Sequence, residues 1–258
     1  MYQPFPKSFI TCTIVVLLFF TANVSHAQNI RQWIAEADSL EQVPNETASL
    51  HKLLMVLQYE PKNIYALSKS SELYSRIGKR MGDRKTSLRY YQNALELAER
   101  ALAVNDRDDG ARVSMAMALG RIGMTQSGKE KVKAAKEIKM HVEVALQVNP
   151  SNFKAWHILG KWHYEVSNLN VFEKAALKLL FGGMPPSSLT EAIRAYKKAQ
   201  EFAPLFMLNY LELAKAQHRN GEKREALQHL QTVIGMKEYT EDDVLVKREA
   251  KDLLKSWK

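Results

Sequence analysis

Arg121, Lys161 and Lys215 each stand directly after a small residue, Gly120, Gly160 and Ala214, in a stretch with helical periodicity. If the chain stacks helices in pairs, that position points into the concave face, so the three cations form a ladder with one helix-pair spacing between rungs. Lys154, His157 and His218 fall near the same surface. Such a ladder suits a carboxylate, a phosphate or an acidic peptide, because charge-assisted hydrogen bonds to these groups are strong. The plainer reading of the same residues is that each cation lies along the surface with a solvated head, or pairs with Glu165 or Glu212.

Nothing in the sequence assembles a catalyst or a metal site. His157 and His163 are six residues apart and fall on different helical faces, and no His-Glu-x-x-His pattern occurs. Gly182-Gly183 lacks the other glycines and the lysine of a phosphate loop, and there is no Gly-x-Ser-x-Gly elbow. Asp108-Asp109 and Asp242-Asp243 sit at helix starts, where carboxylates favour the helix dipole. Trp156, Trp162 and Tyr164 could stack on a ligand, but Trp156 holds a helix-packing position. No cofactor is implied.

The elements that would position these residues are read most clearly from Lys154 to Pro204. Trp156, Leu159 and Gly160 open a helix, and Ala192, Tyr196, Ala199 and Pro204 mark its partner. Gly160 and Ala192 let two antiparallel helices approach, Trp156 and Tyr196 fill the space between, and Pro204 stops the second helix. This is the tetratricopeptide pattern. Other units follow: Gln28 to Lys62, with Asn45 as a helix cap and Pro61 as the stop; Asn63 to Asp106, with a longer connection over Arg80 to Thr86; Asp109 to Pro150; and 205 to 238. A last helix, about 240–257, presents Val246, Ala250, Leu253, Leu254 and Trp257 on one face, as a solenoid end requires, with the Thr240 hydroxyl as its cap. No stretch alternates with period two. The expected fold is an all-α, tetratricopeptide-like helical solenoid of about five helix pairs, with an inserted helix in the fourth unit and a C-terminal capping helix.

Residues 1–27 read as a signal peptide: Lys7, an apolar run from Ile10 to Phe20, then Ser25-His26-Ala27. An uncleaved anchor is the alternative. Cys12, the sole cysteine, lies inside the apolar run, so the mature chain would carry no thiol. Removing residues 1–27 takes away Lys7 and no acidic residue, lowering the formal charge from +9 to +8. A basic, exported chain over 28–258 points to a periplasmic or envelope location and an anionic partner, acidic protein or anionic lipid, and away from nucleic acid.

The insert, about 165–187, carries Phe172, Leu179, Leu180 and Phe181 among few charges, so it must be covered. It either thickens the core or closes the groove into an apolar pocket. Leu179-Leu180-Phe181-Gly182-Gly183-Met184-Pro185-Pro186-Ser187-Ser188, with Lys129 to Lys133, Val144 to Pro150 and Thr240 to Asp243, resembles the regulator of microtubule dynamics family, here as a bacterial exported relative. The resemblance implies a non-catalytic helical protein. Eukaryotic relatives associate with microtubules or membrane contact sites, and lipid carriage has been associated with the family. An export signal makes microtubules an implausible partner for this chain. The leading expectation is a scaffold whose basic groove captures an acidic protein segment, and the alternative is a carrier of an anionic lipid beneath the insert.

Overall fold

The computed structural model describes residues 28–257; the leader read over 1–27 lies outside them. Twelve helices follow in order among the described residues: α1 (28–42), α2 (Glu46–Tyr59), α3 (Ile64–Arg80), α4 (Arg84–Val104), α5 (Asp109–Gly123), α6 (Gly128–Val148), α7 (Phe153–Ser167), α8 (Val171–Phe181), α9 (Leu189–Phe202), α10 (Met207–Arg219), α11 (Lys223–Gly235) and α12 (Asp243–Trp257). Packing is pairwise, α3 on α4, α5 on α6, α7 on α9 and α10 on α11, with α8 inserted in the fourth pair and α12 against α11 and α10. The fold is the expected helical solenoid. No described helix is long and apolar enough to cross a membrane.

The helix starts are set by side chains in sequence. Asn45, Asn63, Asp83, Asp108, Asn152, Asn170 and Ser188 each accept a backbone N–H from the first turn of the helix that follows, which satisfies donors that an α-helix leaves orphaned. Asp83 is why the connection expected over Arg80 to Thr86 is short. Its carboxylate takes the Thr86 N–H at 2.8 Å, so α4 begins at Arg84 and only Met81, Gly82 and Asp83 remain between helices. At α12 the roles are reversed from the expectation. The Asp243 carboxylate accepts from the Tyr239 and Thr240 N–H groups at 2.8 and 2.9 Å.

Close approach within a pair depends on glycine. A Cβ placed on Gly160 would lie 2.7 Å from the Tyr196 ring, and one on Gly78 would lie 2.9 Å from the ring of Tyr91. Tyr196 is fully buried and so are Ala192, Ala195 and Ala199 beside it. Trp156 stays at the edge of its cluster with its indole N–H on the Pro150 carbonyl (2.8 Å), while Trp162 is the buried ring, donating to the Ala135 carbonyl at 2.7 Å. At the end of the array, Val246 and Ala250 are buried and Leu253, Leu254 and Trp257 pack over the last pair. They cover the apolar surface that a further repeat would otherwise meet.

Candidate functional site

The inner face is built from the first helix of each pair, α3, α5, α7 and α10, which pack in series. Its curvature is visible in one ion pair. Lys154 of α7 reaches past α5 to the Glu72 carboxylate of α3. Side chains of α3 and α7, two pairs apart, thus meet.

The sequence-expected cations divide once they are placed. Lys161 lies 2.8 Å from Glu212 and 2.9 Å from Glu165, and Lys215 lies 3.0 Å from Glu212 and 2.6 Å from Glu249. Two rungs of the ladder therefore share one buried carboxylate. Burial alone would raise the Glu212 pKa, but Lys161 and Lys215 draw it down to about 2. Both lysines are in turn held above the ordinary range, the carboxylates outweighing their desolvation. His157 is enclosed: its Nδ1 meets Asn209 Oδ1 at 3.0 Å, its ring packs on Phe206 and Tyr196, and burial depresses its pKa. His218 stacks flat on Trp257, with ring centroids 3.8 Å apart. Trp257 thereby fixes His218 to the capping helix.

Arg121 differs from these. Near the end of α5, it keeps a partly exposed edge yet lies deep enough among protein atoms that desolvation lowers its pKa. Asp242 and Tyr91 are the opposing influences, but among the described residues no carboxylate lies within ion-pair distance of the guanidinium. Of the six groove candidates it is the one without a hydrogen bond, ion pair or ring partner among those residues.

Sequence reasoning missed the acidic and basic cluster beside Arg121. Glu46, at the first position of α2, is fully buried and takes both Arg76 and Arg80 of α3, the latter at 2.5 Å. Arg76 also holds Glu41 at 2.7 Å, and Lys69 pairs with Glu41 as well. Burial would raise Glu41, yet Lys69 and Arg76 bring it to about 2. Arg80 then reaches the segment before α12, lying 3.1 Å from Glu241 and 3.1 Å from Asp242, while the Glu46 N–H donates to Glu241 at 2.8 Å. The superhelix thus brings its last loop onto its first units. Nothing local marks Glu46, because an acidic residue after an N-cap ordinarily serves the helix dipole in water.

The insert lies apart from this face. The Gly182 and Gly183 backbones have positive φ and the Gly183 N–H returns to the Leu177 carbonyl at 2.9 Å, ending α8. Lys136 of α6 donates to the Phe181 carbonyl at 2.9 Å. Phe181 is partly covered, whereas Phe172, Leu179 and Leu180 are exposed.

Comparison with known proteins agrees with this architecture. A family described as regulator of microtubule dynamics protein 1-3 matches residues 33–258. Regulator of microtubule dynamics protein 1 of Mus musculus is 30% identical over 98% of this chain and 85% of its own length. Regulator of microtubule dynamics protein 2 of Mus musculus is 26% identical over 87% of this chain and 55% of its own. Among solved structures, a thermophilic TPR protein of Thermus thermophilus superposes with a TM-score of 0.62 at 16% identity, covering 87% of this chain and 98% of that one.

Proposed function

The chain belongs to the regulator of microtubule dynamics protein 1-3 family, and we propose that it is a non-catalytic binding module whose inner face captures an acidic segment of a partner protein. Arrays of helix pairs offer extended concave surfaces suited to protein partners. One observation carries the reading: Arg121 is a desolvated guanidinium with no carboxylate of its own among the described residues, on a face whose other cations are paired. A partner carboxylate arriving there gains a charge-assisted, bidentate contact. The neighbouring Arg80 holding Glu241 and Asp242 is an internal example of such binding. Lys161 and Lys215 contribute less than the ladder suggests, because Glu212 already neutralises them. The orientation of α8, with Phe172, Leu179 and Leu180 turned to solvent, favours this reading over a lipid carried beneath the insert. The mouse relatives are named as regulators of microtubule dynamics; the leader read over residues 1–27 supports a partner in the cell envelope for this chain instead.

The test is fluorescence anisotropy with a labelled dodecapeptide of alternating Glu and Asp. Arg121→Ala raises Kd about tenfold or more and flattens its dependence on salt, as expected for loss of one charged hydrogen-bonding group. Equal Kd for the variant and the parent protein would overturn the assignment.

A further inference from the structure

Helix α8 buries no residue, and nine of its eleven residues are exposed. Its fractional exposures are 79% at Val171, 87% at Phe172 and 85% at Leu179, values unusual for large apolar side chains on one short element. At 100° per residue, Leu177 and Phe181 fall on the side that is partly covered by the protein. Phe172, Ala175, Ala176 and Leu179 occupy the opposite side, with Val171 and Leu180 at its margins. Lys178 lies beside Val171 at one edge of this apolar face and Glu173 beside Leu180 at the other, while Lys174 lies on the covered side. The outward face is thus the apolar one, the inverse of a helix folded onto a core.

Charge decides what covers it. The Lys136 contact sets the C-terminal end of α8 beside α6, whose first turns carry Lys129, Lys131 and Lys133, all exposed. By helix rise these lie within about 10 Å of Lys136. Together with Lys174 and Lys178 they give α8 and the adjoining start of α6 an excess of positive charge over Glu130, Glu137 and Glu173. A second copy of the chain would bring the same lysines against one another. An exposed apolar helix face in a lysine-rich neighbourhood matches the boundary between acyl chains and anionic headgroups. With 11 residues, α8 is too short to cross a bilayer and suited to lie in its plane.

We propose that α8 is a membrane-docking helix that inserts Phe172, Leu179 and Leu180 into an anionic lipid surface, with Lys174, Lys178 and the α6 lysines at the headgroups. Docking through α8 leaves Arg121 free for a partner, since Arg121 lies on the inner face and the lysines at the start of α6 lie outside it. The Gly182-Gly183 turn and the Pro185-Pro186 segment join α8 to α9 without helical continuity, so seating α8 need not distort the fourth pair.

The test uses the full chain with Cys12→Ser and Leu179→Cys, labelled at position 179 with a polarity-sensitive fluorophore, so that the signal reports α8 and no other segment meeting lipid. Vesicles of phosphatidylglycerol and phosphatidylcholine in equal parts shift the emission to the blue; phosphatidylcholine vesicles do not, and a label at Glu201→Cys stays unchanged. In this labelled chain Lys174→Gln and Lys178→Gln each weaken the transition about fivefold, and Phe172→Asp with Leu180→Asp weakens it about tenfold or more while far-ultraviolet circular dichroism is retained. An unshifted label at 179 overturns the proposal. So does an equal shift on neutral vesicles, or a shift that grows with protein concentration in the absence of lipid, which would make the occupant a second copy.

Discussion

Arg80, at the end of α3, lies 3.1 Å from Asp242, which follows it by 162 residues in the chain. The pair joins the second helix pair to the loop before the capping helix, and it leans on Glu46, which has no exposed surface and depends on Arg76 and Arg80 for its charge balance. In a linear solenoid each repeat meets only its neighbours. Here the curvature is great enough that first and last units share a charged cluster.

Arg80→Ala should therefore cost more than a surface substitution. It leaves the buried Glu46 carboxylate with one guanidinium and releases Glu241 and Asp242. Losing a partner from a buried pair costs about 3 kcal/mol. Asp242→Ala, which strands no buried charge, costs about 1 kcal/mol. Urea unfolding of both variants and the double variant checks this; strictly additive losses would mean that the two side chains do not interact.

Stability should fall in acid in two stages. Glu41 and Glu212 have folded pKa values of about 2, below the ordinary carboxylate value of 4.5. Each contributes roughly 3 kcal/mol when ionised in both states. Because the folded pKa is the lower one, that contribution is complete above pH 4.5 and is lost as pH falls toward 2. His141, held to about 4 by burial and by Arg112 beside it, resists protonation when folded, so its share is lost earlier, between about 6.5 and 4. Unfolding free energies measured from pH 7 to pH 3 should decline gently and then steeply. Glu212→Gln should remove part of the steep phase while lowering stability at pH 7.

Gly160→Ala should destabilise by about 2 kcal/mol, although alanine favours helices. The new methyl meets the Tyr196 ring at 2.7 Å, and Tyr196 has no room to move because it is fully buried. Gly235→Ala, with nothing within 4 Å of its added carbon, should be neutral or slightly stabilising. Thermal melts of the two variants separate close approach from glycine flexibility, and equal shifts in Tm would show that Gly160 is not a packing residue.

The repeat was legible because close packing of two helices demands small residues opposite aromatic ones at fixed spacing, and Gly160 with Tyr196 satisfies that demand within one stretch of chain. The cap at Asn45 was legible for the same local reason. The pairing of the cations was only half legible. Glu212 lies within reach of Lys215 on one helix, but its approach to Lys161, and that of Glu72 to Lys154, is set by the superhelical curvature, which many small interhelical angles add up to produce. Arg80 with Asp242 is the extreme case. The insert gave no sign of which side would be covered, since apolar residues occur all round α8 and only its placement beside Lys136 turns Leu177 and Phe181 inward.

Arg121 offers the sharpest separation of stability from function. A guanidinium that is desolvated without an ion-pair partner is a cost to the folded state, and its lowered pKa has that cause. Arg121→Met keeps much of the volume and removes the charge, so it should stabilise the free protein by about 1 kcal/mol, raising Tm by about 3 °C in a chain of this size. The same variant should lose the acidic peptide. A structural arginine would behave in the opposite way, its replacement lowering Tm through broken contacts, so calorimetry of Arg121→Met distinguishes a residue kept for a ligand from one kept for the fold.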